Sequence, residues 1–196
     1  MIPAGSPIRA FVALRLEPEL VATMAAFQAQ LRLLPADVAW TQPANLHITL
    51  RFLGDRVGPA LLAELAPRLA AIAARTPPFT LELRGTGSFP PTRPRVLWVG
   101  IRSAPLATLA ADIEASARAV GFAPAAPFVP HLTLGRIRGS RLDSGLRPAM
   151  RMAADRFWGT SAISRLTLYQ SRLGAGGATY LPLEEFGLEG VPGDKN

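Results

Sequence analysis

The sequence predicts an α+β protein made of two similar lobes, each an antiparallel or mixed sheet backed by helices. Three observations lead there. The chain reads strand, helix, strand, and that order occurs twice. The tetrapeptide His47-Ile48-Thr49-Leu50 returns 84 residues later as His131-Leu132-Thr133-Leu134. Pro18 and Pro105, which open two of the helices, stand 87 residues apart. Two copies are too few for a solenoid and fit two lobes facing each other.

Each element has its own pattern. Ile8, Ala10, Val12, Leu14 and Leu16 alternate as a strand. Pro18 suits a first helical position, and Leu20, Met24, Phe27, Leu31 and Leu34 follow at helical spacing up to Pro35. A second strand covers Leu46 to Leu53. Gly58-Pro59 opens a helix with Leu61, Leu65, Leu69 and Ile72 on one face, and Phe79, Leu81 and Leu83 alternate as a strand. The Gly- and Pro-rich stretch from Gly85 to Pro94 reads as a loop between lobes. Arg95 to Ile101 is a strand. Pro105 opens a helix carrying Leu106, Leu109, Ile113 and Val120, and Gly121 suits its left-handed end. Phe128 to Ile137 is a strand, and Arg138 to Arg151 is a basic loop. Ile163 to Leu173 and Ala178 to Leu183 form a hairpin across Gly174 to Gly177. A single domain spanning 1–196 is expected, with loose ends at 1–7 and 190–196.

Composition narrows the chemistry. Of 196 residues 49% are hydrophobic and 18% charged, which supports a core and excludes a wholly disordered chain. There is no cysteine, so disulfides, thiolate-bound zinc and a thiol nucleophile are excluded. Two histidines are too few for a metal site built mainly of imidazoles. The net charge is +7, and Lys195 is the only lysine among 21 basic residues. Such a surface suits an anionic partner such as nucleic acid. Met1 to Pro7 lacks the charge and apolar run of a signal peptide. The stretch Leu61 to Ala74 is too short and too charged to cross a bilayer. A cytoplasmic monomer without membrane contact is expected.

Both histidines begin an H-[IL]-T-L strand. Alternation puts His47 and Thr49 on one face and Ile48, Leu50 and Phe52 on the other; His131 and Thr133 likewise oppose Leu132 and Leu134. Facing lobes would bring the two pairs to one cleft. That set suits a phosphodiester. A neutral imidazole takes a proton from water, and a protonated one gives a proton to the leaving oxygen. Threonine hydroxyls donate to the non-bridging oxygens. No metal is needed. A histidine that merely caps a strand end explains one such motif, but not two that hold every histidine of the chain.

At this point the sequence resembles the 2H phosphoesterase superfamily, named for two H-x-[ST]-h motifs in which h is hydrophobic. It is most similar to the LigT-like RNA 2′,3′-cyclic phosphodiesterases, also called the 2′-5′ RNA ligase family. Arg9 to Leu14, Asn45 to Gly54, Pro127 to Arg136, Leu168 to Ser171 and Tyr180 to Leu183 carry the resemblance in family order. It implies a duplicated, bilobal α+β fold with two mainly antiparallel sheets facing a central cleft and helices outside. It implies opening of an RNA 2′,3′-cyclic phosphate to a 2′-phosphate, with neither metal nor other cofactor. The reverse step would join RNA ends, such as tRNA halves, through 2′-5′ bonds. By resemblance His47 and His131 do the acid–base work, and Thr49 and Thr133 hold the phosphate. His131 is taken as the base and His47 as the acid, although the residues alone allow either. Two alternatives keep the fold: a cyclic phosphodiesterase for a small nucleotide, and an RNA-binding module without catalysis.

Other residues carry weaker signals. Arg136 is a candidate phosphate ligand. Strict alternation puts it on the core face, and a bulge at Gly135 would turn it into the cleft. Arg51 shares the His47 face by alternation. Arg51, Arg138, Phe11 and Tyr169 are candidate RNA contacts, the aromatics by stacking on bases. Trp98 and Phe128 are assigned to the core.

Overall fold

Prolines at the first turn start three of the four helices, because their missing N–H and fixed φ cost nothing there. In the computed structural model, which describes residues 5–91, 93–138, 145–174 and 177–190, β1 (Ile8–Arg15) is followed by α1 (Pro18–Arg32). Then come β2 (Val38–Trp40), a 3-10 turn at Pro43–Asn45, and β3 (His47–Val57). Next are α2 (Pro59–Arg75), β4 (Phe79–Phe89), β5 (Val96–Arg102) and α3 (Ala104–Val120). β6 (His131–Ile137), α4 (Leu146–Met152), β7 (Phe157–Ile163), β8 (Arg165–Gly174) and β9 (Gly177–Gly187) complete the chain. Gly121 ends α3 in the left-handed conformation expected of it, at φ 109°.

The strands form two sheets, with orders β3-β1-β8-β9 and β2-β6-β5-β4-β7, and their pairings are antiparallel. Each sheet mixes distant parts of the chain. The first takes β8 and β9 from the C-terminal end, and the second takes β2 and β4 from the N-terminal half. The helices add to this interlocking. α1 leaves the first sheet and lies against β7 of the second, where the Phe27 and Trp158 rings sit 4.2 Å apart. α3 packs on α2 and on β3. β3 and β6 touch each other, so the two sheets meet along the strands that hold the histidines. Leu14, Ile48, Leu62, Leu65, Leu81, Leu97 and Leu106 are fully buried in the core. Among the described residues no helix is long and apolar enough to cross a membrane.

Several elements differ from expectation. The stretch read as a loop from Gly85 is strand as far as Phe89. Its glycines serve close approaches instead of breaking the strand. Gly85, at φ +69°, forms a register shift against β5, and Gly87 lies under the Trp98 ring. The basic loop contains a helix, α4, anchored by the buried Leu146 and Met150. Arg141 and Asp143 of that loop lie outside the described residues. Ile163 ends β7, a strand whose apolar residues do not alternate, with Gly159 among them, and β8 starts at Arg165. β2 is only three residues long and gives too little alternation to read. Of the ends expected to be loose, 1–4 and 191–196 lie outside the described residues.

A methyl group added at Gly85 would collide with the Ala154 carbonyl oxygen, in a backbone conformation hostile to side chains. Gly85→Ala is therefore expected to lower stability by about 2–4 kcal/mol in urea denaturation. An unchanged midpoint would contradict this reading of the bend in β4.

Candidate active site

The two motifs fold alike. His47 and His131 open β3 and β6, and each ring reaches back to a carbonyl two residues earlier. His47 Nδ1 lies 2.6 Å from the Asn45 oxygen, and His131 Nδ1 lies 2.7 Å from the Val129 oxygen. A carbonyl only accepts, so each Nδ1 carries its proton and donates. In the neutral ring Nε2 is then left as the acceptor. The Thr49 hydroxyl donates to His47 Nε2 at 2.9 Å. No described residue hydrogen-bonds His131 Nε2. Asn45 is itself tied down, since its Nδ2 donates to the Ala178 oxygen of β9 at 2.6 Å.

One cleft of about 560 Å³ is lined by His47, Thr49, His131, Thr133 and Arg136 together. Thr41, Asn45, Ser171, Tyr180, Arg9 and Phe52 complete most of its wall. The rings of both histidines are braced by aromatics. Phe11 lies 4.9 Å from His47 and Tyr180 meets it edge-on at 4.9 Å, while Phe89 meets His131 edge-on at 5.1 Å.

Matching bulges follow both motifs. Pairing with β1 skips Leu50, and pairing with β5 skips Leu134. Each bulge reverses the alternation beyond it. Gly135 therefore turns inward, against Val38 and Trp40, and Arg136 turns out into the cleft. The Leu134 carbonyl accepts from Thr41 N at 2.9 Å and from the buried Gln28 Nε2 at 2.7 Å. In β3 the same device corrects two expectations. Arg51 is buried, not on the His47 face, with Nε 2.6 Å from Glu114 Oε2 and Nη1 donating to the Phe52 oxygen at 2.6 Å. Phe52, expected in the core, is 38% exposed on the cleft with the Arg9 guanidinium over its ring.

The other candidates fall in different places. Phe11 and Tyr169 are 4% and 3% exposed and stack on each other at 5.2 Å. Phe11 lines the cleft beside His47 and Tyr169 packs behind it, and neither offers an open face to a base. Arg138 is exposed and does not line the cleft. Trp98 is half-buried on the same sheet face as Thr133, its direct neighbour in register. Phe128 is half-buried beside the cleft. Sequence reasoning missed Asn45, Gln28, Phe52 and Phe89. Only the position of Asn45, two residues before a motif histidine, held a readable signal. Among the described residues no three of His, Asp and Glu gather as a metal site.

Both imidazoles are held below the ordinary value near 6.5. Burial is the main cause for each, and it disfavours the charged ring. The carbonyl bonds to Asn45 and Val129 oppose it. Positive charge then lowers both further, from His131 and Arg136 at His47, and from Arg136 at His131.

The model of the LigT like Phosphoesterase family matches residues 14–98 and again 99–180. The chain belongs to this family. Each matched stretch holds one His–Thr pair, so the family unit itself is present twice, as the repeated motif indicated. A relative from Aeropyrum pernix, named RNA 2′,3′-cyclic phosphodiesterase, is 41% identical over 145 residues, 72% of this chain and 81% of its own. One of the same name from Methanothermobacter thermautotrophicus is 32% identical and covers 92% of this chain and 99% of its own. Among solved structures, a Thermus thermophilus protein, TT0787, superposes with a TM-score of 0.80 at 28% identity, covering 93% of this chain and 99% of its own. Escherichia coli LigT complexed with 3′-AMP does so with a TM-score of 0.76 at 29% identity, over 93% and 98%. These family members share the α+β duplicated architecture described above.

Removing the cation at Arg136 should let both rings bind protons more readily, because a neighbouring positive charge disfavours imidazolium. In Arg136→Met the pKa values of His47 and His131 are expected to rise toward 6.5, read by NMR titration of the ring protons. A fall in either would contradict the assigned electrostatics.

Proposed function

We propose that this chain hydrolyses RNA 2′,3′-cyclic phosphate ends to 2′-phosphates by acid–base catalysis with His47 and His131. The observation that carries the reading is that both rings, locked by Nδ1 to backbone carbonyls, line one cleft with two threonines and an arginine. The names of the relatives support the substrate class, and the complex of Escherichia coli LigT with 3′-AMP supports a nucleotide ligand.

The cyclic phosphate sits between the rings, with Thr49 and Thr133 donating to its non-bridging oxygens and Arg136 offsetting its charge. His131 Nε2, which has no described partner, takes a proton from the attacking water. The water oxygen bonds to phosphorus as the bond to the 3′ oxygen breaks. His47 gives its proton to that leaving oxygen. The products are a 2′-phosphate and a free 3′ hydroxyl, with the proton now on His131. The same step with an RNA 5′ hydroxyl in place of water, its oxygen bonding to phosphorus as the 3′ oxygen leaves, makes a 2′-5′ bond.

The acid form must be supplied against burial. The substrate anion offsets that burial in the complex, since an opposite charge favours imidazolium. In the free protein the singly protonated state is populated only at pH values near the lowered pKa values. The bell of kcat/KM against pH is therefore expected to peak below pH 6.5. A peak above pH 7 would contradict it.

The direct test is an oligonucleotide with a 2′,3′-cyclic phosphate, assayed in EDTA. Wild type should open the ring to a 2′-phosphate. His47→Ala and His131→Ala, verified as folded by circular dichroism, should each be slower by about 10²–10⁴-fold. Full activity in either variant removes the mechanism.

A further inference from the structure

Among the buried side chains of α1 one is polar. Gln28 is 1% exposed, and the rest of the buried face is Leu20, Met24, Phe27 and Leu31. We infer that Gln28 is a positioning residue, which braces the bulge of β6 and so holds Arg136 in the cleft between the two histidines. Its part in the reaction rests on the reading of the cleft as the phosphate site; its part in placing Arg136 does not.

The contacts run from helix to cleft in two steps. Gln28 Nε2 donates to the Leu134 oxygen at 2.7 Å and to the Thr41 oxygen at 2.9 Å. Leu134 is the residue that pairing with β5 skips, and beyond it Arg136 faces the cleft. On the other side of β6, β2 sets Ala39 opposite Arg136 and Trp40 opposite Gly135. Thr41 N donates to the Leu134 oxygen at 2.9 Å as the last rung of that pairing. Gln28 thus joins both residues of the rung at once. Thr41 lines the cleft itself, so both strands that Gln28 ties together reach the site.

Arg136 depends on this backbone. It makes no ion pair or hydrogen bond with another described residue, so no side chain steers its guanidinium. Only the course of β6 decides which way it points.

The residue type suits the task. Two carbonyl oxygens only accept, and a carboxamide nitrogen carries two protons, one for each. A carboxylate would offer them only acceptors. A lysine ammonium would bury a charge with no described carboxylate at the rung. Methionine matches glutamine in length and has no donor, so Gln28→Met removes both bonds while filling the space.

The test is a double-mutant cycle between Gln28→Met and Arg136→Met. Phe27→Leu is the control, because it loosens α1 against Trp158 and touches neither carbonyl. Gln28→Asn, one methylene too short to reach, is a second variant with the same expected direction. Two quantities are read: the NMR titrations of the His47 and His131 rings, and kcat/KM on an oligonucleotide with a 2′,3′-cyclic phosphate. Gln28→Met is expected to raise both ring pKa values by at least half the rise seen in Arg136→Met, and to lower kcat/KM by about tenfold. In the Arg136→Met background it should change neither quantity further. Phe27→Leu should leave both as in wild type. Unchanged ring titrations in Gln28→Met and Gln28→Asn overturn the inference. Full additivity in the double variant overturns it too, as does an equal effect of Phe27→Leu. A wild type inactive on the cyclic phosphate removes the cleft reading, and the ring titrations then still decide whether Gln28 places Arg136.

Discussion

The bond from each motif histidine to a carbonyl two residues before it organises the site. It puts the proton on Nδ1, orients the ring and leaves Nε2 to the cleft. A flexible loop would hold such a ring poorly. Here each carbonyl belongs to the lead-in of a paired strand, and at His47 the lead-in is secured again by the Asn45 bond to β9. The interlocked sheets matter for the same reason. Because β3 and β6 belong to different sheets but touch, one junction carries both rings.

Electrostatics at this junction oppose the resting charge. Burial and Arg136 favour the neutral form of both imidazoles, which leaves each Nε2 an acceptor, that of His47 engaged by Thr49. Under the proposed reaction an incoming phosphodiester supplies the charge that makes one ring an acid. The bulge after β6's motif is what puts Arg136 there, and Gln28, reaching across from α1, donates to the Leu134 carbonyl at that bulge. A helix residue far from the cleft in sequence thereby helps to shape its charge.

Much of this was legible from alternation and repetition. The duplicated H-x-T-L strands located His47, Thr49, His131 and Thr133 on one side of their strands, and Gly135 marked a bulge. Alternation failed one step later, at Arg51 and Phe52. A bulge at Leu50 swaps their faces, and no glycine announces it. Strand β4 was hidden because Gly85 and Gly87 read as breakers, whereas one bends the strand and the other makes room for Trp98. Phe11 and Tyr169 read as aromatics open to a base, yet both are buried and their rings are spent on stacking, Phe11 against His47 and Tyr169 against Phe11. Which side chains face each other across two sheets depends on strand order, and sequence periodicity does not encode it.

The central claim is that two symmetry-related imidazoles address a single phosphate. It is tested most directly by following the ¹⁵N ring signals of His47 and His131 while 2′-AMP is added. The expected result is that both Nε2 signals move together, with one saturation curve and one stoichiometric equivalent. Movement of only one ring, or two separate saturation curves, would contradict it.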